Sequence, residues 1–154
     1  MAEIPAGFER QPRRSNFVEL IGPLYTKTDA RGLVLGLVVE EKHLNLRGWV
    51  HGAVACALLD VVCARSVAGS TEPPTPVVTA NLGVDFIAPA RAGDWVEASA
   101  SVTRLGRRLA FATGKLATGE KTIAQATAVF AVVTPAESAQ SPPVPSPPVH
   151  QELR

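Results

Sequence analysis

The stretch NLRGWVHGAVACALLD, residues 45–60, decides the fold of this chain. From Ala53 to Ala64 every residue is apolar except Asp60. The run is too short to cross a membrane, which takes about 20 apolar residues. Because it is apolar on all sides, it predicts a helix buried in the core. Asp60 must then be paired, be protonated or take part in chemistry, because an unpaired buried carboxylate is costly.

The start of this predicted helix is unusual, because no Ser, Thr, Asp or Asn stands directly before it to cap its first N–H groups. Gly48 and the pair His51-Gly52 stand there instead. Uncapped N–H groups at a helix start, with the helix dipole behind them, suit a negatively charged oxygen. Gly52 would let such an oxygen approach the backbone closely. An oxyanion hole needs these properties.

Spacing along the helix predicts the assembly. Gly52 and Asp60 are eight residues apart, so about 12 Å separates their backbones along the helix axis. A catalytic carboxylate and an oxyanion donor must each lie about 3 Å from the reacting group, and one helix can hardly supply both. Two antiparallel copies can, with Gly52 of one chain facing Asp60 of the other. We therefore expect a homodimer with two shared sites across a two-fold axis.

Asn45, the run His51-Gly52-Ala53, Leu58 and Asp60 together resemble the motif of a known family. It is that of the hot-dog-fold acyl-CoA thioesterases of the phenylacetate-degradation (4-hydroxybenzoyl-CoA thioesterase-like) type. The resemblance covers roughly residues 17–133. That group usually carries His-Gly-Gly, where this chain has Ala53 in the third place. The resemblance implies an α+β hot-dog fold, in which an antiparallel sheet wraps around a long central helix. It also implies active sites between subunits of a homodimer, and a homotetramer built as a dimer of dimers.

The resemblance also implies roles for individual residues. Asp60 would be the nucleophile or the general base, the Gly52 N–H would polarise the thioester carbonyl, and Asn45 would position the attacking water or the thioester. His51 would support the oxyanion donor, or would only shape the turn through its ring. Thr79 would orient water, or would be a strand hydroxyl facing solvent. Three further residues complete the expected substrate site: Trp49, Ala53 and Asn81.

Three arginines, Arg104, Arg107 and Arg108, cluster on one predicted turn. Coenzyme A carries a 3′-phosphate and a pyrophosphate, and guanidinium forks bind phosphate well. Hot-dog thioesterases often place basic residues of this turn near the nucleotide. We therefore expect these side chains to bind CoA, although a surface turn can carry such charges without a function.

Composition excludes several classes of function. Apolar residues make up 46% of the chain and the formal net charge is +1, which does not describe a nucleic-acid binder. The segment MAEIPAGFERQPRRS has no apolar stretch typical of a signal peptide, so we expect a cytoplasmic protein with no membrane partner. The histidines lack metal-ligand spacing, so we expect no metal and no cofactor. Cys56 and Cys63 share one face of the predicted helix and cannot form a disulfide with each other, which favours core packing.

The chain divides into three segments. Residues 1–22 form an N-terminal segment in which residues 1–14 are expected to be loosely held. A short helix follows, capped by Ser15 or Asn16, with Glu19 three residues beyond Asn16 as a capping box. Phe17, Leu20 and Ile21 would form its apolar stripe. Residues 23–134 form the predicted hot-dog domain. Residues 135–154 hold six of the thirteen prolines and predict an extended tail without a packed core.

The hot-dog segment shows one hairpin, the helix and then four strands. Residues 23–28 and 33–40 flank a turn, and strands are predicted over 77–88, 95–104, 108–118 and 122–133. In the first of these four, Val78, Leu82 and Phe86 fall on one face by strict alternation, and Thr79 and Asn81 fall on the other. This order of elements indicates α+β layer packing.

Three functions compete on these residues. The first is hydrolysis of an acyl-CoA thioester. The second is a non-catalytic acyl-CoA-binding protein on the same fold, against which the acid Asp60 speaks. The third is a hydratase or dehydratase, whose paired His and acid we do not find in this sequence. Thiol release from a panel of acyl-CoAs would separate the first function from the other two.

We expect that removal of residues 135–154 changes neither folding nor turnover appreciably, because their Pro/Ser composition offers no apolar periodicity. The melting temperature and kcat of the truncated chain would be compared with those of the full chain. A loss of several degrees, or of most activity, would show that the tail is docked on the domain.

Overall fold

The computed structural model describes residues 3–12 and 15–134, so the predicted proline-rich tail lies outside the described residues. One seven-stranded antiparallel sheet packs against one long helix, which confirms the predicted α+β class. The order of the strands in the sheet is β1-β2-β3-β5-β6-β7-β4. The helices are α1 (Asn16–Ile21) and α2 (Gly52–Ala68), with a 3-10 turn at Glu41–His43. The strands are β1 (Glu9–Arg10), β2 (Tyr25–Asp29), β3 (Gly32–Val38), β4 (Val77–Phe86), β5 (Trp95–Leu105), β6 (Leu109–Thr118) and β7 (Lys121–Val132).

The sheet lies close against α2 because the positions that face the helix carry small side chains. Gly114 in β6 leaves room for the helix: a Cβ there would lie 2.9 Å from the Sγ of Cys63 and 3.0 Å from a methyl of Leu59. Burial of large helix side chains such as Leu58 contributes about 1.5–3 kcal/mol each. The alanines that line the inner face of the sheet are Ala98, Ala100, Ala110, Ala112, Ala124, Ala126 and Ala128.

The short helix α1 has the predicted bounds but not the predicted faces. Ser15 is its N-cap and accepts a hydrogen bond from the Val18 N–H at 3.2 Å. Val18 therefore occupies the third helical position, and the expected capping box with Glu19 is wrong. The predicted apolar stripe is also wrong, since Phe17 and Leu20 are 58% and 74% exposed while Val18 packs on the core.

The N-terminal segment is held more firmly than its polar composition suggests. β1 pairs with β2, and the Phe8 ring meets the Trp95 ring edge-on at a centroid distance of 4.9 Å. The Trp95 ring in turn lies on the backbone of Gly36, where a Cβ would overlap it at 2.1 Å. The expectation that residues 1–14 are loosely held is therefore wrong for this part of the segment.

A β-bulge breaks the predicted alternation in β4. The register with β7 shifts between Thr79 and Asn81, so the two side chains point to opposite faces rather than to one. Thr79 faces α2, whereas Asn81 lies on the outer face of the sheet and is exposed. Val78 is likewise turned outward, away from the face that Leu82 shares with the core. Bulges near active sites often re-aim a side chain in this way.

His43 ties α1 to the loop before α2. Its side chain is buried, its Nδ1 accepts the Glu40 N–H at 2.9 Å and its Nε2–H donates to the Ile21 carbonyl at 2.8 Å. Because Nδ1 accepts a hydrogen bond, the ring is neutral in this arrangement. Burial lowers the pKa of His43 below its ordinary value, and the nearby Lys42 charge acts in the same direction.

We therefore predict that acid destabilises the fold through His43. The unfolded chain takes up this proton near pH 6.5, whereas the folded chain resists it to lower pH. The contribution of His43 is complete above about pH 6.5 and is lost as the pH falls below that value. Thermal unfolding from pH 8 to pH 5 should show this fall in wild type.

The variant His43→Gln should lose that part of the pH dependence. At pH 8 its free energy of unfolding should be lower by about 1–3 kcal/mol, because two buried hydrogen bonds are disturbed. The control His51→Asn changes an exposed histidine and keeps a capping side chain, so it should retain the wild-type pH dependence. Equal pH profiles for wild type and His43→Gln would contradict this assignment.

Candidate active site

The start of α2 is capped by a residue that the sequence analysis did not consider as a cap. His51 is the N-cap of the helix, and its Nδ1 accepts the Ala53 N–H at 3.0 Å. The expectation of an uncapped helix start is therefore wrong for Ala53. The same expectation agrees with the Gly52 N–H, which has no acceptor among the described residues. The ring of His51 is exposed, and with Nδ1 accepting, its neutral form carries the proton on Nε2.

The loop before the helix is folded around Asn45. Its Oδ1 accepts the N–H groups of Arg47 at 2.8 Å and Trp49 at 3.3 Å, and its own N–H donates to the Trp49 carbonyl at 2.8 Å. Gly48 closes the turn at a φ of +75°, a conformation that favours glycine. The side-chain oxygen of Asn45, Oδ1, thus holds the loop in shape. The Nδ2 amide of the same side chain is left as the group that can reach a ligand.

Asn45, Trp49 and Gly52 line one cavity of about 320 Å³ at the start of α2. The Phe86 ring covers Gly52 so closely that a Cβ on that glycine would lie 3.2 Å from two ring carbons. The structure therefore brings together the predicted oxyanion donor and the predicted positioning amide in an apolar pocket. The remaining lining residues are Val50, Ala55, Phe86, Ile87, Ala88, Pro89, Ala90 and Ile123.

Asp60 lies two turns further along α2 and has a partner on β4. The Thr79 hydroxyl donates to Asp60 Oδ1 at 2.6 Å. The Asp60 side chain is half-buried, so it is a hydrogen-bonded carboxylate at the edge of the core rather than a bare one inside it. The Thr79 hydroxyl therefore does more than face solvent, and its expected role in orienting water stays a prediction.

The two ends of the site do not meet within one chain. Asp60 and Thr79 do not line the cavity that contains Gly52, as the roughly 12 Å helix separation requires. Asn81 lies on the outer face of β4, away from both the Gly52 cavity and the Asp60–Thr79 pair. Ala53 is exposed beside His51.

The three arginines lie near the Asp60 end of the molecule. The Arg108 carbonyl accepts the Val132 N–H at 2.9 Å, and Val132 pairs with Val77, two residues before Thr79. Arg104, Arg107 and Arg108 are all exposed. This end of the sheet therefore carries the carboxylate and a group of solvent-facing guanidinium groups.

The two cysteines behave as packing residues. Burial raises the pKa of Cys63 to about 11, and the neighbouring Asp60 charge adds to the effect. Burial also raises the pKa of the half-buried Cys56. A thiol is a poor nucleophile unless it ionises, so this environment disfavours a cysteine mechanism.

Within residues 3–12 and 15–134, no group of three or more His, Cys, Asp or Glu side chains is arranged to hold a metal ion. In the same part of the chain, no helix has the length and hydropathy needed to span a membrane. These are findings about the described residues alone.

Sequence reasoning missed the residues that build the walls of the cavity. Phe86 was assigned to a buried strand face, and Ile87 and Ile123 were not assigned to a site. Their contribution depends on the end of β4 passing over the start of α2, where the Ile87 N–H bonds the Ile123 carbonyl at 2.8 Å. The apolar run Phe86-Ile87-Ala88 that ends the strand is the pattern that could have suggested them.

Comparison with known proteins places this arrangement in one family. Residues 47–124 match the model of the thioesterase superfamily. A provisionally named esterase of Pseudomonas aeruginosa is 43% identical over 131 residues, which cover 84% of this chain and 98% of that protein. Human acyl-coenzyme A thioesterase 13 is 32% identical over 110 residues, which cover 66% of this chain and 78% of that protein.

A solved structure agrees with this likeness. A mutant of phenylacetic acid degradation protein PaaI from Thermus thermophilus superposes with a TM-score of 0.66 at 29% identity. The alignment covers 77% of this chain and all of that one (100%). The sheet wrapped around one long helix is the hot-dog fold of these relatives. The chain belongs to the thioesterase superfamily.

Proposed function

We propose that this protein hydrolyses an acyl-CoA thioester to the free acid and CoA. The observation that carries the proposal is the pair of groups on α2: a carboxylate held by Thr79 and, eight residues before it, the Gly52 N–H, which has no acceptor within the described part of the chain. The likeness to human acyl-coenzyme A thioesterase 13 supports CoA as the thiol. The likeness to PaaI supports the phenylacetate-degradation group, with Ala53 in place of the usual second glycine.

Asp60 supplies the negative oxygen for the reaction in either of two ways. As a general base it takes a proton from water, which attacks the thioester carbon. As a nucleophile it attacks that carbon itself, and water then hydrolyses the resulting anhydride. In both cases negative charge develops on the carbonyl oxygen, where the Gly52 N–H and the helix dipole stabilise it. Collapse of the intermediate expels the CoA thiolate.

Thr79, Asn45 and His51 hold these groups in place. The Thr79 hydroxyl fixes one oxygen of Asp60 and leaves the other for water or the carbonyl carbon. Asn45 offers its Nδ2 amide at the wall of the cavity. His51 caps the helix start through Ala53, which keeps the adjacent Gly52 N–H directed outward.

A homodimer formed through β4 would complete the site. β4 is an edge strand of ten residues, so one side of its backbone is open for pairing. Its Phe86 end touches Gly52 and its Thr79 end touches Asp60. Antiparallel pairing with a second β4 across a two-fold axis would set the Phe86 end of one chain against the Thr79 end of the other. Each site would then join Gly52 of one protomer to Asp60 of its partner.

Two further features fit this assembly. The arginine turn lies at the Asp60 end, so the protomer that supplies the carboxylate would also bind the nucleotide of CoA. Exposed apolar side chains on the outer face of the sheet support a second interface, between dimers. These side chains include Val78, Leu109 and Phe111.

Asp60→Asn should lower kcat by about 10²–10⁴, because the amide lacks the negative oxygen. KM should change far less, and the melting temperature should hold or rise since a half-buried charge is removed. Steady-state kinetics on the best acyl-CoA of a panel, beside melting curves, would measure both effects. A folded Asp60→Asn protein with the wild-type rate would make Asp60 structural and overturn its role as base or nucleophile. No CoA release by wild type from any acyl-CoA of the panel would instead leave acyl-CoA binding without catalysis as the alternative.

The oxyanion donor is tested by Gly52→Pro and its matched control Gly52→Ala. Proline is tolerated at the first helical position, and His51 before it already has a compatible backbone with φ −65° and ψ 137°. Both variants place a Cβ against Phe86, but only proline removes the N–H. Gly52→Pro should therefore lose about 10²–10³ in kcat and Gly52→Ala much less.

Co-expression of Asp60→Asn and Gly52→Pro chains tests whether the site is shared. A mixed dimer contains one intact site and one doubly altered site, so random pairing should restore about a quarter of the wild-type activity. Each variant alone should remain nearly inactive. Failure of the mixture to regain activity, with mixed dimers present by mass, would place Gly52 and Asp60 of one chain in the same site.

The turn arginines should affect binding rather than chemistry. Arg107→Ala with Arg108→Ala should raise KM for an acyl-CoA and leave kcat near normal, because the guanidinium groups bind phosphate away from the reacting carbon. The matched substrate is the pantetheine thioester of the same acid, which lacks the nucleotide. The KM for this thioester should be the same in the variant and in wild type. Equal losses on both substrates would place the nucleotide elsewhere.

A further inference from the structure

We infer that Phe86 sets the length of the acyl group that the protein accepts, and that the group is an uncharged, apolar acyl chain or ring of medium size. This inference rests on the proposed function. It concerns the cavity of about 320 Å³ at the start of α2.

The cavity lining selects against charge. None of the residues that line it carries a formally charged side chain, and the exposed Lys121 ammonium beside it already donates to the Pro89 carbonyl. An acyl group with a second carboxylate would therefore be buried among side chains that offer it no charged partner. Such burial is costly. The polar side-chain groups among these residues are the amide of Asn45 and the indole N–H of Trp49, both on the loop that leads to Gly52. The polar part of the substrate is therefore expected beside that loop and the apolar part deeper in the cavity.

Side-chain exposure gives the cavity a direction. Phe86, Ile87 and Trp49 are exposed and form its mouth, with Phe86 at 60%. Ala55, Ala90 and Ile123 are buried and form its closed end, with Ile123 at 4%. The closed end is made mainly of alanines, which leave the space that an acyl group would fill.

The position of Phe86 lets its ring limit the length of the acyl group. Its ring packs against the backbone of Gly52, so an acyl group whose carbonyl oxygen meets the Gly52 N–H must start beside that ring. From there the cavity extends inward to Ala90 and Ile123, and we expect the ring to obstruct the outward course along β4. At about 320 Å³ the cavity lies at the small end of the range for ligand pockets, which suits an acyl group of medium size, on the order of six to ten carbons.

Chain-length profiles test this inference. CoA release would be measured with acetyl-, butyryl-, hexanoyl-, octanoyl-, dodecanoyl- and hexadecanoyl-CoA, and with glutaryl-CoA as the charged probe. Wild type should have its highest kcat/KM at hexanoyl- or octanoyl-CoA and should discriminate against glutaryl-CoA by at least about tenfold.

Phe86→Ala should raise kcat/KM for dodecanoyl-CoA relative to hexanoyl-CoA by about tenfold or more. The control Phe17→Ala makes the same change at a phenylalanine on α1 that is 58% exposed and does not line the cavity, and should leave the profile unchanged. Ala88→Leu fills the cavity and should shift the optimum to shorter chains. Because Phe86 also lies at the proposed dimer interface, the oligomeric state of each variant would be measured by sedimentation. If Phe86→Ala is monomeric, the milder Phe86→Leu, which also shortens the side chain, decides.

The outcomes separate the two proposals. No CoA release from any acyl-CoA would overturn the proposed function and this inference with it. Hydrolysis with a flat profile, equal turnover of glutaryl-CoA and hexanoyl-CoA, or a dimeric Phe86 variant that keeps the wild-type profile would overturn the inference and leave the proposed function in place.

Discussion

The structure depends on the need to cover a helix that is apolar on every side. Exposure of such a helix to water would forfeit most of the free energy that folds the domain. The sheet covers α2 by coming very close to it, which the small residues at Gly114 and the inner alanines allow. Cover is incomplete along the flank beside β4, where Asp60 is half-buried. The one polar residue of the apolar run thus lies where the sheet ends.

The uncovered flank of α2 beside β4 is also where the proposed catalytic groups lie. The same flank presents the open backbone edge of β4, the exposed Phe86 ring and the Thr79–Asp60 hydrogen bond. A second copy placed there would cover the flank and bring a helix start to the carboxylate. In this view one contact between two copies would both cover the exposed flank and complete the active site. The spacing of eight residues between Gly52 and Asp60 along α2 makes both effects possible together.

The sequence predicted the long-range features well because periodicity and composition carry them. The start of α2, the four strands after it and the α+β class were confirmed. Features that depend on a single residue were missed. The bulge after Thr79 cannot be read from an alternating pattern that looks unbroken, yet it turns Thr79 toward Asp60 and Asn81 away from it. His51 as a cap and His43 as a buried bridge depend on backbone groups brought close by folding, and the pattern of side chains does not encode these.

The environment of Cys63 has a consequence for the chemical resistance of the protein. A thioesterase releases free thiol at every turnover, and thiols and their disulfides exchange with cysteines that ionise. With a pKa of about 11, the Cys63 side chain stays almost entirely a neutral thiol at pH 7. Gly114 draws the sheet onto that sulfur, so the contact that packs the core also keeps Cys63 out of exchange with the product. The central helix can therefore carry this cysteine beside the site at which we propose that CoA is released.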